Sequence, residues 1–484
     1  MNFAGLIFLL IAHFITGRGV LRLINVQLEP LTTFCFSMII GVPMLSFAPC
    51  VLQLMHIPIT MASVFFSVAG FAVAFGIPLT INFKRLRFQK ITFPKLYEWP
   101  FYLVYLVFII ISLWRCFYMP PYSRDMLSGP ELLAEYAVRE KTMISSVFTT
   151  DMTTSNNYFK SPYITCLQII YKLLVSSFGQ VWLSILFLSF TVWIFALVRK
   201  RLHPLVACLL LLLFILIPEM FAYTFVILYD YSNMIFFFSA YYFLTRYLGS
   251  NKINEFAFSV FLFGIATYIR TETLILIAMI MPLLVFNYYR NKVPLKKAVL
   301  RIGIFCLVPF AFYFLNIHVF IRNFIPIPFD LGENLNRDLT NTSAFFQRLD
   351  DMNNQLIFSK LGYMFFGYFI YIFCGIFIID IIWPRKFNRE SLFALYGVGV
   401  VYFGLGLIGY LLPLADLLNT TKRGMFKAFP LMLLYMANSG LLIRLSEAIK
   451  DWEYPKPKPI AQPKQTLKAN VNIKTANLKK NKSK

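Results

Sequence analysis

The chain has 484 residues, of which 59% are hydrophobic and 14% are charged, and its mean hydropathy is +0.68. Soluble domains average about 45–50% apolar and about 25% charged residues, so this composition excludes a soluble enzyme, a disordered chain and a collagen-like repeat. A net charge of +23 would favour nucleic-acid binding in a soluble protein. In a membrane protein the same excess of Lys and Arg reports which loops face the cytoplasm, so we expect no nucleic-acid partner.

Apolar runs of about 20 residues recur along the chain and predict an all-α polytopic membrane protein with about 13 transmembrane helices. The first run has the position of a signal peptide, but it has neither a basic start nor a small-residue cleavage site, so we expect a retained span. In chain order the predicted spans are 2–16, 31–54, 58–83, 98–117, 179–198, 203–225, 231–248, 253–269, 273–289, 301–321, 356–383, 391–412 and 425–443.

The charges of the connecting loops predict the topology. Lys and Arg are concentrated in five segments, namely 84–95, 199–201, 290–301, 385–389 and the chain after residue 444. When these segments are placed inside, the N-terminus lies outside and the C-terminus lies in the cytoplasm. We expect an integral protein of a bacterial inner (plasma) membrane.

Three regions follow from this reading. Residues 1–97 form N-terminal membrane spans, and residues 98–445 form a membrane core with outer loops at 118–178 and 322–355. Residues 446–484 form a basic cytoplasmic tail with few apolar residues, which should be disordered. The tail either contacts anionic lipids of the inner leaflet or has no specific role.

The first outer loop contains two predicted interfacial helices. The segment 128–131 (SGPE) is typical of a helix start, with Glu three residues after a candidate cap at Ser128 and Pro in the first turn. The helix that follows, through residue 148, places Glu131, Glu135 and Arg139 on one face. The second helix is predicted at 163–175, directly after the Lys-Ser-Pro stretch at 160–162.

The cysteine pattern predicts neither a zinc site nor a disulfide framework. The seven cysteines are scattered, and most of them fall inside apolar runs. Cys116 and Cys166 are expected on the same side of the membrane, so a bridge between them is left open.

Ionisable residues at membrane depth are rare and usually functional, and here they gather at the predicted outer ends of spans. The turn Arg270-Thr271-Glu272 between the eighth and ninth spans is short, and loops of that length seldom need two opposite charges. For each residue taken alone, an interfacial charge in water is the alternative. The candidates are Asp125, Glu219, Asp230, Arg270, Glu272, Asp416, Lys422, Arg423 and Lys427.

This distribution favours chemistry at the outer leaflet over transport. A transporter would typically show Gly-interrupted spans and charges near the bilayer midplane, and the sequence has few of either. The sequence has no Walker motif, no His-rich cluster, no Ser–His–Asp pattern and no large soluble domain that could hold a nucleotide sugar. An activated donor would therefore arrive as a lipid.

Three stretches and the order of the elements carry a family resemblance. The stretches are YDYSN at 229–233, FLFGIATYIRTETLILIAMIMPLLVF at 261–286 and TKRGMFKAFP at 421–430. A long outer loop with an early Asp and interfacial helices comes before many spans joined by short loops. Over about 98–445 the chain resembles the GT-C class of integral-membrane glycosyltransferases, whose donors are polyprenyl-phosphate sugars. Within that class it resembles bacterial membrane mannosyltransferases and aminoarabinose-transferase-like proteins.

The resemblance implies the roles of individual residues. Asp125 is the expected general base, and Asp230 and Glu219 are the alternatives, as base partners or as ligands of a divalent cation. A metal ion is thus left open at Asp125 and Asp230, and no other cofactor is expected. The expected substrate-binding residues, among which the arginines grip the donor phosphate, are Arg270, Glu272, Lys422, Arg423, Lys427 and Glu131.

The chain departs from the class in two respects. Many relatives have two neighbouring acids in the first outer loop, whereas Asp125 stands alone until Glu131, which leaves the catalytic pair open. Three predicted spans also precede the span at which the core common to the class would begin. They form an added N-terminal unit.

We therefore expect a glycosyltransferase that moves a hexose or pentose from a polyprenyl-phosphate donor to an acceptor hydroxyl at the outer, periplasmic face. The expected partners are membrane lipids, the lipid-linked sugar and a glycan, lipid or protein acceptor of the cell envelope. One alternative is a lipid or glycan flippase or transporter. Another is an O-antigen polymerase- or ligase-type transferase, although in those enzymes the long outer loop typically comes late in the chain.

Overall fold

A computed structural model describes residues 2–80, 94–120, 124–150, 160–176, 179–321, 341–383, 388–412 and 416–454. Within these ranges every regular element is helical, which confirms the predicted all-α fold. Most of the basic loop at 84–95, most of the second outer loop at 322–355 and the tail beyond Tyr454 lie outside the described residues.

The α-helices are numbered here in chain order, and the list covers the described ranges. They are α1 (Phe3–Ile24), α2 (Pro30–Leu45), α3 (Phe47–Leu54), α4 (Met61–Thr80), α5 (Trp99–Tyr118), α6 (Arg124–Leu127), α7 (Pro130–Glu140), α8 (Val147–Thr150), α9 (Tyr163–Leu174), α10 (Val181–Arg199), α11 (Pro204–Ile215), α12 (Pro218–Ala222), α13 (Tyr229–Ser250), α14 (Ile253–Ile269), α15 (Thr273–Arg290), α16 (Leu295–Phe314), α17 (Thr342–Asp351), α18 (Lys360–Phe366), α19 (Phe369–Ile382), α20 (Arg389–Leu411), α21 (Lys422–Gly424), α22 (Phe429–Ala437) and α23 (Gly440–Glu453). Shorter 3-10 and π-helical segments are Leu96–Glu98, Leu315–Ile321, Met352–Ile357, Leu417–Thr421 and Met425–Ala428.

All thirteen predicted spans coincide with helices or with bent pairs of helices. In the described part of the chain eight helices are long and apolar enough to cross a membrane, or ten if each of two bent pairs counts as one span. The other three predicted spans fall on α11 and α14, which are short, and on α13. Helix α13 has 22 residues and is buried along most of its length, so it can be polar without exposing polar groups to lipid.

The three N-terminal spans are packed against the core rather than set apart from it. Helices α1 and α2 cross so closely that a Cβ on Gly17 would lie 1.9 Å from the Ser37 carbonyl oxygen. Small residues permit such close approach of helices in a membrane. From α2, the buried Phe36 ring contacts Trp193 and Phe243 of the core, with centroids 4.7 and 5.3 Å away.

The bundle has two ends with different charge. The predicted basic turns meet at one of them, where Arg201 lies 2.6 Å from Glu390 and Arg389 donates to Asn287 over 2.9 Å. We call this the basic end. The opposite end, which carries the first outer loop, is called the loop end. The side of the membrane that each end faces remains a prediction from charge.

A buried carboxylate stabilises a bend inside the last predicted span, between Ala437 and Gly440. The Tyr435 hydroxyl and the Leu441 backbone N–H each donate to Asp380 over 3.0 Å. Asp380 thus satisfies an unpaired N–H in the first turn of α23, and α23 turns away by 50°.

Both predicted helices of the first outer loop form, with corrected boundaries. Helix α7 begins at Pro130 with Gly129 at the N-cap position and no side-chain cap, so the prediction that Ser128 caps it is wrong. It ends at Glu140 rather than 148, because Lys141 takes a left-handed conformation with φ of 60°. Helix α9 is buried along most of its length.

The cysteine bridge left open in the sequence does not form. The Cys166 Sγ lies 3.3 Å from that of Cys50, whereas the Cys116 Sγ lies 3.1 Å from the Ser184 hydroxyl. All seven cysteines are free thiols.

Candidate functional site at the loop end

Charged side chains from distant parts of the chain meet at the loop end. They come from α6, α12, the start of α13, the turn between α14 and α15, and the segment from 417 to 428 that leads into α22. Eight of the predicted site residues belong to this group, which we call the charged cluster together with Lys160. The members are Asp125, Lys160, Glu219, Asp230, Arg270, Glu272, Lys422, Arg423 and Lys427.

Asp125 pairs with Arg423 across the first loop and the last span. The guanidinium Nη1 of Arg423 lies 3.0 Å from the Asp125 carboxylate, and its Nε donates to the Asn419 carbonyl over 2.9 Å. The Asp125 side chain is 47% exposed, whereas that of Arg423 is 13% exposed. Asp125 is therefore the most accessible carboxylate of the cluster, and its partner is held in place from two sides.

Arg270 bridges two carboxylates at the turn between α14 and α15. Its Nη1 contacts Asp230, its Nε lies 2.9 Å from Glu272, and the Lys427 ammonium lies 3.8 Å from Glu272. Burial lowers the pKa of Arg270, but the two carboxylates outweigh burial and raise the pKa above its ordinary value. Asp230 is only 2% exposed, so its contact with Arg270 is shielded from solvent.

A third pair joins the cluster at its side. The Lys422 ammonium lies 2.6 Å from the Glu219 carboxylate and sits 4.0 Å from the centroid of the Phe365 ring. Because Lys422 directly precedes Arg423 in the chain, Glu219 also fixes the position of the Asp125–Arg423 pair.

Lys160 was not identified as a site residue from the sequence, where it marked only the approach to α9. Burial, together with the nearby guanidinium groups of Arg270 and Arg423, lowers its pKa to about 8, whereas Asp230 and Asp125 oppose the shift. Lys160 therefore lies close to both Arg–carboxylate pairs. The available signal was a lone cation placed directly before an amphipathic helix on the predicted outer side.

Glu131 lies in a different group of side chains. Its carboxylate lies 2.6 Å from the Lys172 ammonium and accepts a hydrogen bond of 2.7 Å from Gln168, both on α9. Lys172 also lies 3.2 Å from Glu135. These contacts lock α7 onto α9, so Glu131 supports the loop that carries Asp125. Asp416 is also outside the cluster, because it accepts from the Leu418 N–H and the Asn419 amide.

The cluster has more cations than carboxylates. Lys160, Arg270, Lys422, Arg423 and Lys427 face four carboxylates, and opposite charges alternate through the group. A site with excess positive charge and low solvent access attracts an anion. Guanidinium groups can bind phosphate through two parallel hydrogen bonds. The arrangement suits an anionic ligand.

A divalent cation at Asp125 and Asp230 does not fit the residues in these positions. Each carboxylate faces a guanidinium group. In the described ranges no three His, Cys, Asp or Glu side chains lie close enough together to hold a metal ion.

Comparison with protein families gives one finding. Residues 162–314 match the model of the dolichyl-phosphate-mannose-protein mannosyltransferase family (PMT_2). Comparison with the curated proteins and with the solved structures gives no match. The matched segment runs from α9 to the end of α16 and contains Glu219, Asp230, Arg270 and Glu272. PMT_2 is a GT-C-type family, which confirms the resemblance and supports a membrane glycosyltransferase of the GT-C type.

Proposed function

We propose that this protein transfers a sugar from a polyprenyl-phosphate donor to an acceptor hydroxyl at the loop end, which faces the periplasm. The observation that carries the proposal is the accessible carboxylate of Asp125 held 3.0 Å from Arg423, inside a cluster with excess positive charge. In this proposal the Asp125 carboxylate is the proton acceptor and the Arg423 guanidinium binds the phosphate. The family match over 162–314 supports the class of reaction.

The reaction needs a base and a site for the leaving phosphate. The acceptor oxygen attacks C1 of the sugar, and its proton passes to the Asp125 carboxylate. The bond between C1 and the phosphate oxygen breaks, and its electron pair remains on the lipid phosphate. Arg423 and Arg270 stabilise the charge that develops there, and Lys160 and Lys427 add to the positive field.

The other carboxylates position the cations rather than react. Asp230 and Glu272 hold Arg270 from two sides, and Glu219 holds Lys422. Their negative charges balance the buried cations in the absence of substrate, which lowers the cost of burying them. Asp230 and Glu219 are therefore positioning residues in this proposal.

A transfer assay tests the proposal. Membranes that contain the full chain are supplied with a panel of radiolabelled polyprenyl-phosphate sugars, and label is followed into glycan, lipid and protein fractions. Asp125→Asn should keep the fold, because an amide can still accept from Arg423, and should lower transfer by about 10²–10⁴-fold. The matched control is Asp351→Asn, which changes a carboxylate at the C-terminal end of α17 that accepts a hydrogen bond from the Gln355 amide.

Two outcomes would contradict the proposal. One is normal transfer by the Asp125→Asn protein. The other is movement of the labelled lipid across the bilayer with no labelled acceptor, which would favour a flippase.

A further inference from the structure

A small polar cavity opens beside Arg270, behind the turn between α14 and α15. It has a volume of about 90 Å³ and is lined by Lys160, Tyr229, Arg270, Thr271, Glu272 and Asn316, with Ser161 and Ile269. By comparison, a cavity of about 150 Å³ holds one benzene ring. This smaller cavity can therefore take the hydroxyl groups along one edge of a sugar ring, with the rest of the ring outside it.

Asn316 is the lining residue whose buried polar atoms have no partner within the described residues. The side chain is 1% exposed, and within the described residues neither its amide nitrogen nor its amide oxygen has a hydrogen-bond partner. A buried amide without partners is costly, and each such group calls for a ligand or water that completes it. Asn316 lies in the π-helical segment Leu315–Ile321, and π-helical turns are frequent at functional sites.

The side chains that line the cavity are suited to two parts of one ligand. Lys160 and Arg270 supply positive charge, which suits a phosphate. The Asn316 amide offers two donors and an acceptor, and the Glu272 carboxylate offers acceptors, which suits neighbouring hydroxyl groups of a sugar. A sugar joined to phosphate presents both sets of groups.

We propose that this cavity binds one edge of the sugar ring of the lipid-linked donor and that the Asn316 amide selects the sugar by hydrogen bonds to its hydroxyl groups. This inference rests on the proposed transferase function and adds the position of the donor sugar and a specificity-determining residue. The donor is favoured over the acceptor because the cavity shares Arg270 with the phosphate-binding cluster. An acceptor hydroxyl would instead approach on the side of Asp125.

Kinetics of the purified full-length chain tests this assignment. Donors that differ in one ring hydroxyl, as epimers or deoxy sugars, are compared for the wild type, Asn316→Leu and Asn316→Asp. Asn316→Leu keeps the size of the side chain and removes all its hydrogen bonds, so donor KM should rise about tenfold for the preferred sugar. The variant should also lose its preference between that sugar and the deoxy donor, while acceptor KM stays unchanged. Asn316→Asp keeps an acceptor and should show an intermediate change.

The matched control is Asn287→Leu, which removes a buried amide at the basic end and should leave the donor ranking unchanged. If either Asn316 variant keeps wild-type donor KM and donor ranking, the assignment is overturned. A rise in acceptor KM with constant donor KM also overturns it. If the wild-type chain transfers none of the sugars, the proposed function fails first, and that result is distinct from a failure at Asn316.

Discussion

Arg270 and Arg423 carry the same charge, but the carboxylate that loses its partner on substitution is buried in one case and exposed in the other. Removing one preorganised phosphate-binding group typically costs about 2.7–4 kcal/mol, or roughly a hundred- to thousand-fold in rate, so both alanine variants should lose transfer. Arg270→Ala also leaves Asp230 buried without its partner, which typically costs about 3–5 kcal/mol of stability. Arg423→Ala leaves the half-exposed Asp125 in water and should fold normally.

Thermal unfolding and transfer rates measured together separate these effects. The double variant Arg270→Ala/Asp230→Asn should recover stability without recovering activity, because the uncompensated charge is gone but the phosphate site is still incomplete. Recovery of the rate in the double variant would show that Arg270 acts only as a structural partner. Lys at position 423 should restore part of the rate, since it keeps the charge and lacks the planar fork.

Lys160 predicts a pH dependence. With its pKa lowered to about 8, the ammonium is charged at neutral pH and loses its charge as the pH rises through 8. Donor KM should therefore rise between pH 7 and 9. Lys160→Arg, which stays charged, should flatten this profile, and Lys160→Met should show a high KM at every pH.

Titration of Lys160 does not itself destabilise the fold over this pH range. The lysine pKa is lower in the folded state than in the unfolded chain, so the unfolded state binds more protons between pH 8 and the ordinary lysine pKa. Stability from this group therefore increases with pH in that window. A loss of affinity that persists in the Lys160→Arg protein would contradict the assignment.

For individual residues, the sequence predicts which charged residues form the cluster but not which of them form ion pairs with each other. Asp125 and Arg423 are 298 positions apart, and hydropathy carries no information on which charges meet. Lys160 was missed because a single lysine before a helix is common. Glu131 was expected to contact substrate, yet it pairs with Lys172, because the face shared by Glu131 and Glu135 is covered by α9.

The packing of α3 on α9 predicts a specific cross-link. The Cys50 and Cys166 sulfurs are 3.3 Å apart and both side chains are buried, and a disulfide needs about 2.05 Å. A small oxidant that reaches the membrane interior should join them in preference to the other cysteines. Mass spectrometry of peptides with and without reduction would detect the link, and Cys166→Ser should abolish it. A bridge from Cys116 to Cys166 instead would contradict the packing.

The helices themselves were predictable, but their breaks were not. Apolar length and loop charge predict the thirteen segments because burial in lipid demands continuous helices. The bend before α23 depends on Asp380, which caps the backbone at Leu441 from another helix. Likewise, the start of α7 at Pro130 follows from the packing of the loop, since no side chain caps it. Hydropathy does not report such tertiary hydrogen bonds.

For the molecule as a whole, different sets of charged residues distinguish the two ends of the helical bundle. The charged cluster lies at the loop end, and the turns that contain Arg201 and Arg389 meet at the basic end. The N-terminal unit was predicted as an addition to the core. Its contacts through Phe36 show that it contributes to the core's packing, which follows from side-chain fit and is not visible in composition.

The orientation in the membrane is the last prediction. The positive-inside rule places the basic end in the cytoplasm, and the donor phosphate must then be bound at the opposite surface. Arg139 is 69% exposed at the loop end, and Lys296 is exposed at the basic end. In inverted and right-side-out vesicles, an impermeant thiol reagent should label Arg139→Cys from the periplasmic side and Lys296→Cys from the cytoplasmic side. Five native cysteines are buried and the other two, Cys306 and Cys374, are partly buried within predicted spans, so the background should be low. Labelling of both variants from one side would refute the arrangement of the spans. Labelling of each from the opposite side would keep the fold but move the proposed transfer to the cytoplasmic leaflet.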